Sequence, residues 1–394
     1  MNQHLNGTII LLGIEHGYNK RIIFYEKYVN CLSKLLKNLF MKTKNGNLLI
    51  FIIIVFAVSL VDSTVRSQPL NMTRDEIIQY TPLWKGERLP DGRPKVPDDI
   101  INRMRYVPMS VAWQTIHRQR VERPGAKDMS AGYHATYDYG PKYCYYGEFK
   151  QMFENVTICG RALTMQTMPL RPDVDIAIQE QGRKEGLTRV GGTYAIDVLE
   201  KGDVYVVNFC EGLMDGSHVG DNLGNSIYQR SGNGAIIRGT VRDREGCMEI
   251  DDKGFNLFVR DFRPESGGIG PYMVIGRNLP IQIGYVTVMP GDVVLAKQEG
   301  VLFIPPHMAE QVVVEAEKSG LLDRFAHIGV QEGRFTASQA DGQYTEAMHK
   351  EFDQWLRDNI DNMDKFYENP AMTPSKEFIR EFIKERESGI RFRP

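Results

Sequence analysis

Short apolar runs rich in β-branched residues recur between glycine-bearing turns from residue 157 to residue 305. Runs of this length, bounded by turn residues, are typical of buried strands. Helical spacing separates some of these runs, at residues 174–185 and 222–231. The pattern therefore predicts a mixed α/β domain. The predicted strands include residues 162–165, 204–207, 235–237, 257–259, 281–283 and 293–295.

After residue 305 the apolar positions change to a helical period. Residues 308–318 form one amphipathic pattern, and residues 345–360 form a second with Met348, Phe352 and Leu356 on one face. The pair Thr373 and Pro374 then predicts the cap and first position of a final charged helix. A helical extension is therefore expected beyond the α/β domain.

The N-terminal region contains a nearly unbroken apolar run at residues 48–61, preceded by lysines and followed by polar sequence. This order is that of a secretory signal peptide, and fourteen residues are few for a membrane span. Translation starting at Met41 would place the run correctly. A periplasmic or secreted protein is expected, with membrane anchoring by an uncleaved run as the alternative.

Proline-punctuated polar sequence follows, and it predicts a linker or arm rather than a core. The resulting division has four parts: an N-terminal segment (1–67), an arm (68–107), an α/β catalytic domain (108–318) and a helical extension (319–394). A tyrosine- and glycine-rich stretch within the third part, residues 133–146, is expected to be irregular surface or interface.

Charge and cysteine content exclude some classes of function. The formal net charge is -2 and the pI is about 6.5. This balance lacks the basic footprint that nucleic-acid recognition usually leaves. The five cysteines form no C-x-x-C pair and no regular framework, so buried thiols are expected. If the chain is exported, a single disulfide remains possible.

Two segments could carry chemistry: residues 220–225, which open a predicted helix, and residues 238–243, which end a predicted strand. In isolation, the first would be an ordinary helix cap and the second a surface ion pair. Their combination and spacing resemble the RraA-like family, which includes 4-hydroxy-4-methyl-2-oxoglutarate aldolases and the regulator of ribonuclease activity A. The resemblance extends over about residues 108–317, and further matching segments are residues 160–164, 202–207, 286–294 and 299–306.

The resemblance implies roles for individual residues. Asp243 would bind a divalent metal, with Mg²⁺ preferred and Mn²⁺ possible, and Asp221 would hold water on that metal. Arg242 would contact the carboxylate and keto group of a pyruvate moiety. The backbone amides of Asn222 and Leu223, next to Gly220, would bind the substrate carboxylate.

General chemistry agrees with this division of roles. The amides and the dipole at a helix N-terminus attract a carboxylate, and a guanidinium offers it a planar fork of donors. Mg²⁺ prefers oxygen ligands and retains several waters.

The reaction implied by the resemblance is cleavage of a carbon–carbon bond in a small 2-oxo acid, through a pyruvate enolate. Retro-aldol cleavage of 4-hydroxy-4-methyl-2-oxoglutarate and decarboxylation of oxaloacetate share this enolate. The implied fold is a swivelling β/β/α domain, assembled as a homotrimer or hexamer with sites between subunits. A neighbouring subunit would add an acidic residue, for which Glu310, Glu315 and Glu317 are candidates by region.

Alternatives remain. A non-enzymatic interaction protein, like the ribonuclease regulators, is the alternative function, and the physiological 2-oxo acid is open. Relatives are often labelled demethylmenaquinone methyltransferases, but no glycine-rich strand-to-helix loop for a nucleotide-type methyl donor is present in this sequence. His218 lies near the first motif, but the implied mechanism does not require it as a ligand or base.

Overall fold

The computed structural model describes residues 70–122, 136–139, 143–212, 216–266 and 272–390. The apolar run at residues 48–61 and the proposed start at Met41 lie outside these ranges, so the N-terminal predictions remain predictions. Among the described residues, no helix is both long and apolar enough to cross a membrane.

A large mixed sheet forms the centre of the fold. Its parallel strands are β5 (Ile158–Pro169), β6 (Asp203–Asn208), β7 (Ala235–Val241) and β8 (Leu257–Phe262). Antiparallel strands complete the order β3-β13-β12-β5-β6-β7-β8-β4, with β9 also paired to β5. They are β3 (Tyr145–Tyr146), β4 (Lys150–Gln151), β9 (Tyr272–Arg277), β12 (Val293–Lys297) and β13 (Gly300–Ile304).

Two small hairpins lie beside the sheet. They pair β1 (Arg120–Glu122) with β2 (Thr136–Asp138), and β10 (Ile281–Ile283) with β11 (Val286–Val288). The helices are α1 (Arg74–Tyr80), α2 (Asp98–Met104), α3 (Met109–His117), α4 (Pro172–Lys184), α5 (Thr193–Ile196), α6 (Asp221–Ser231), α7 (Arg244–Met248), α8 (Ala309–Gln331), α9 (Ala337–Ala340), α10 (Glu346–Asn359) and α11 (Lys376–Glu387).

The strand interiors are apolar on both faces because the sheet is covered on both sides. In β6, Tyr205 and Val207 enter one core cluster, whereas Val204 and Val206 enter another. All four side chains are fully buried. The continuous apolar run in the sequence therefore reflects alternation between two cores.

The predicted α/β class with a helical extension is confirmed. Each predicted strand lies within an observed strand, and the two predicted interstrand helices correspond to α4 and α6. The helix predicted at residues 308–318 is longer than expected, because α8 continues to Gln331. It therefore crosses the proposed boundary at residue 318 and joins the α/β domain to the extension.

The prediction that residues 68–107 form an arm rather than a core is wrong for their second half. Ile100, Ile101 and Met104 of α2 are buried in a cluster with strands β12 and β13. Arg93 is also buried, and its guanidinium binds both carboxylate oxygens of Asp203 at 2.8 and 3.2 Å. Proline punctuation marked the absence of long helices, but it did not determine whether the segment packs.

Two local predictions need correction. The final helix is capped by Ser375, whose hydroxyl accepts a hydrogen bond from the Phe378 amide, and not by Thr373. In the tyrosine-rich stretch, Tyr145 and Tyr146 form strand β3, and Tyr146 is buried. Parts of that stretch lie outside the described residues. Cys144, Cys159, Cys210 and Cys247 are buried free thiols as expected, while Cys31 is not described.

Candidate functional site

The carboxyl ends of the parallel strands bring the two sequence motifs together. Val219, which precedes α6, forms a parallel bridge with Val241 at the end of β7. The Arg242 amide donates a hydrogen bond to the Val219 carbonyl at 3.0 Å. The dipeptide that follows Val219 therefore lies beside the dipeptide that follows Val241, although the two motifs are about twenty residues apart in sequence.

Gly220 allows the two segments to approach closely. A Cβ atom at this position would lie 2.5 Å from Asp243 Oδ2 and 2.9 Å from Arg242 Nε. Real Cβ atoms essentially never make contacts below 3.0 Å. Glycine is therefore the residue that lets the backbone before α6 lie against these two side chains.

Arg242 and Asp243 form an ion pair, with Arg242 Nε 2.9 Å from Asp243 Oδ2. Their side chains are 38% and 45% exposed, so both can be reached from solvent. Asp243 has a left-handed backbone, with φ +53° and ψ +45°, and it precedes α7. Aspartate tolerates this conformation better than most residues, and such conformations cluster at functional sites.

Asp221 is the first residue of α6, and its carboxylate lies against the helix that Asp243 precedes. A Cβ atom at Gly246 of α7 would lie 2.9 Å from Asp221 Oδ2. Asp221 Oδ1 accepts a hydrogen bond from the Asn222 amide at 2.7 Å. That amide, predicted to bind substrate, is therefore engaged by the neighbouring carboxylate. The Leu223 amide lies in the first turn of α6, where intrahelical acceptors are lacking.

An open pocket of about 260 Å³ lies over these residues. Predicted residues from both motifs line it, and Ser217, His218, Ser266 and Tyr272 complete the wall. The lining residues from the motifs are Gly220, Asp221, Asn222, Leu223 and Arg242. The pocket volume suits a small molecule near the lower end of the range for ligand sites.

His218 lies at the floor of this pocket, in an aromatic cluster. Its Nε2 atom is 2.7 Å from the Tyr205 hydroxyl, and its ring is 4.9 Å from that of Phe209. Burial lowers the pKa of His218 to about 4, so the imidazole is neutral near pH 7. Its Nδ1 atom is buried without a hydrogen-bond partner in the described part of the chain.

Sequence reasoning did not identify Tyr272 and Ser266 as part of this site. Tyr272 begins β9, which runs antiparallel to β5, and its ring packs edge-to-face on Phe209 at 4.9 Å. No motif surrounds either residue. Strand pairing places Tyr272 at the pocket, and Ser266 lies in the segment after β8. Of the three acidic candidates for donation to a neighbour, Glu317 is held within its own chain by Arg103, at 2.6 and 2.7 Å.

The donor set fits a hard divalent cation held mainly by water and substrate. Asp243 offers a half-exposed carboxylate, and Asp221 offers a second one at the adjoining helix. Carboxylate oxygens are ligands that Mg²⁺ prefers, and Mg²⁺ usually retains several waters. No group of three or more His, Cys, Asp or Glu suited to a metal occurs in the described residues.

A protein-family model described as RraA-like, Aldolase/RraA, matches residues 133–303. The chain contains an RraA-like domain. The matched range includes both motifs and β5 to β12, together with most of β13. The helical extension and residues 70–122 lie outside the matched range.

Known proteins similar to the RraA-like domain are distant. The protein DlpA of Legionella pneumophila is 27% identical over 172 residues, which are 42% of this chain. The match spans only about a quarter, 24%, of the length of DlpA.

Two solved structures are similar to this chain over part of its length. An uncharacterized protein from Pseudomonas syringae pv. tomato is 17% identical, with a TM-score of 0.47 over 65% of this chain and 99% of its own. RraAS2 from Streptomyces coelicolor, described as an unusual member of the RNase ES inhibitor RraA protein family, is 20% identical, with a TM-score of 0.44 over 59% of this chain and 99% of its own.

Proposed function

We propose that this chain is a divalent-metal-dependent lyase that cleaves a carbon–carbon bond in small 2-oxo acids. The main support is the packing of Gly220 against the Arg242 and Asp243 pair. This packing brings a helix start and a guanidinium to one pocket, with the Asp243 carboxylate beside that guanidinium. Family membership supports the proposal only coarsely, because the matching model covers both aldolases and RraA proteins.

Arg242 is the residue that would bind and orient the substrate. Its guanidinium lines the pocket and is partly exposed, so it can offer two donors to the carboxylate and the keto oxygen of a 2-oxo acid. The first turn of α6 would add backbone amides and the positive end of its dipole. Release of the Asn222 amide by Asp221 would free one further donor.

Asp243 would hold the cation directly and Asp221 would hold one of its waters. When bound, the cation supplies Lewis-acid stabilisation of negative charge at the keto oxygen. Arg242 contributes to the same stabilisation from the protein side, because its fixed positive charge lies where the charge develops. Retro-aldol cleavage and decarboxylation both leave an electron pair that is held as the enolate of pyruvate.

The pocket floor would select substrates by size. Tyr272 and the neutral His218 form an aromatic wall beneath the partly exposed Arg242. A pocket of about 260 Å³ suits a short dicarboxylic 2-oxo acid better than a bulky one. Oxaloacetate and 4-hydroxy-4-methyl-2-oxoglutarate are therefore the substrates to test first.

The proposal is tested by measuring pyruvate release from both compounds, with Mg²⁺, with Mn²⁺ and with chelator. Asp243→Asn is the sharpest variant, because asparagine tolerates the left-handed backbone while removing the charge. We expect metal-dependent turnover in the wild type and a loss of about 100-fold or more in Asp243→Asn and Arg242→Gln, because each removes transition-state stabilisation worth several kcal/mol.

Matched controls are Asp197→Asn and Arg230→Gln. Each removes one charge of an exposed surface ion pair whose atoms are 3.5 Å apart. They should retain wild-type turnover. Absence of turnover by the wild type with both compounds, together with absence of Mg²⁺ binding, would refute the lyase proposal. It would favour the non-enzymatic regulatory role, which co-purification with a ribonuclease would then test.

The predicted homotrimer or hexamer with sites between subunits also remains a proposal. Sedimentation of the full chain measures it directly. Donation across subunits can be tested by mixing two inactive variants, Arg242→Gln and an excess of a variant in Glu310 or Glu315. If either acid is donated by a neighbouring subunit, mixed oligomers should regain activity. Failure of both mixtures would contradict donation by these two residues.

A further inference from the structure

A second and larger cavity, of about 550 Å³, lies outside the matched RraA-like range. It lies between the end of α2, one face of α8 and the segment that leads into α11. Its walls are largely apolar, and its volume is typical of ligand sites. The apolar wall residues are Val107, Val313, Ala316, Met372 and Phe378.

Two hydroxyl groups in the cavity wall have no hydrogen-bond partner within the described ranges of the chain. Tyr367 is only 9% exposed, and its hydroxyl faces Gly320, another wall residue, where a Cβ atom would lie 3.7 Å away. The hydroxyls of Tyr367 and Thr373 are both buried without a hydrogen-bond partner among the described residues. Buried hydroxyls normally have partners, because an unmade hydrogen bond costs about 1–3 kcal/mol. Both groups therefore point to a ligand with a polar group that can form hydrogen bonds with them.

Among the described residues around the cavity, one guanidinium has no direct ion pair. Arg103 and Glu317 neutralise each other through a bidentate pair at 2.6 and 2.7 Å. The guanidinium of Arg324 stacks over the Tyr367 ring at 5.1 Å. In the part of the chain that the structure describes, no carboxylate lies within ion-pair distance of Arg324. The neighbouring acid, Asp323, is attracted electrostatically by His327 and Arg324, and it also interacts with the Ser319 hydroxyl.

Burial raises the pKa of Tyr367 to about 12, so its hydroxyl remains a donor at neutral pH. A guanidinium can only donate hydrogen bonds and repels a protonated amine, whereas the neutral phenol can both donate and accept. The apolar walls, by contrast, favour a hydrocarbon or aromatic body. The chemistry of the cavity therefore favours an acceptor with negative charge at one end and an apolar group at the other.

We propose that this cavity is a second small-molecule site, which binds a monocarboxylate with an apolar body. Arg324 would take the carboxylate, and the hydroxyls of Tyr367 and Thr373 would donate to it. Met372 and Phe378 would cover the apolar part. The site is distinct from the proposed lyase pocket, because the two share no lining residue.

The test is isothermal titration calorimetry of the full chain with 3-phenylpropionate, which carries one carboxylate and one aromatic ring. The wild type should bind saturably. Arg324→Gln should weaken binding about tenfold or more, since hydrogen bonds to charged groups contribute about 1.5–3 kcal/mol. Tyr367→Phe keeps the ring beneath Arg324 and removes only the hydroxyl, and it should weaken binding by a smaller factor.

Two controls separate this site from others. Arg357→Gln removes an exposed arginine of the same extension, paired with Glu387 at 2.9 Å, and should leave binding unchanged. Arg242→Gln disables the proposed lyase site and should also leave binding unchanged. Binding that survives Arg242→Gln but not Arg324→Gln therefore stands even if the lyase proposal fails. Circular dichroism melting of each variant confirms that it is folded.

Three results would overturn the proposal. The first is absence of 3-phenylpropionate binding to the wild type, and the second is equal binding by the wild type and folded Arg324→Gln. The third is equal or tighter binding of 3-phenylpropylamine, which has the opposite charge on a similar body. If sedimentation also shows that Arg324→Gln or Phe378→Ala dissociates an oligomer, the cavity is instead a contact between copies of this chain.

Discussion

At the scale of single residues, the site depends on the absence of a side chain at position 220, which is a glycine. Gly220 has an extended backbone, with φ -120° and ψ -171°, which any residue can adopt. Glycine is therefore required there for space and not for conformation. The two atoms that a Cβ would meet, Asp243 Oδ2 and Arg242 Nε, belong to flexible side chains. A larger residue would displace these side chains before it unfolded the protein.

Gly220→Ala should therefore reduce the proposed lyase activity about tenfold or more while changing the melting temperature little. The added Cβ would displace the side chains of Arg242 and Asp243 away from the start of α6. Small displacements of positioning groups commonly cost about 100-fold in rate. Pyruvate release and circular dichroism melting measure the two effects.

Gly191→Ala is the matched control for this prediction, because a Cβ there would meet nothing closer than 3.7 Å. It should retain both activity and stability. Full activity in Gly220→Ala would show that the close approach is not required. A large fall in its melting temperature would show instead that the approach is a packing contact of the fold.

At the scale of elements, a buried arginine is one of several contacts that attach the segment before α2 to the sheet. Arg93 is 1% exposed and donates to Asp203, at the start of β6, and to Asp91. The Glu200 amide also donates to Asp203, at 3.0 Å. These contacts give Asp203 a structural role. The N-terminal part of the described chain is thus connected to β6, near the centre of the sheet.

Arg93→Ala should lower the free energy of unfolding by about 3–5 kcal/mol, because it leaves the Asp203 carboxylate buried without its charged partner. The change should be visible as a shift of the urea midpoint. Lys95→Ala is the control, since Lys95 forms an exposed pair with Glu87 at 2.9 Å. Such a pair contributes about 1 kcal/mol or less. Equal midpoints for the two variants would refute a structural role for the buried pair.

At the scale of the whole molecule, α8 belongs to two cores. Its first half, including Val312 and Val313, packs into the cluster formed with α2 and α3. Its second half, including Leu321 and Phe325, packs into the cluster of the helical extension. One continuous helix therefore couples the α/β domain to the extension, and the second cavity lies where these two cores meet.

Phe352→Ala should destabilise the extension by about 3–5 kcal/mol, because the side chain is fully buried among Phe325, Trp355 and Phe382. Hydrogen exchange should accelerate most in α10 and α11 and least in β5, β6 and β7. Val330→Ala, at an exposed position of α8, should change little. Acceleration of the central strands to the same degree would mean that both cores unfold as one unit.

The sequence by itself determined the type of the central strands and longer helices and indicated the two motifs of the candidate site. Hydrophobic period is a local property, so strands such as β6 and helices such as α6 could be predicted within a few residues. The motifs at residues 220–225 and 238–243 were likewise visible, because their residue types and spacing are linear features.

Only the tertiary structure decided which distant segments meet. The bridge between Val219 and Val241 sets the two motifs side by side, and strand pairing brings Tyr272 to the same pocket. The contact between Arg93 and Asp203 joins residues 110 positions apart. These outcomes depend on strand order and on packing between layers, which local periodicity does not encode. The burial of α2 and the second cavity were hidden from the sequence for the same physical reason.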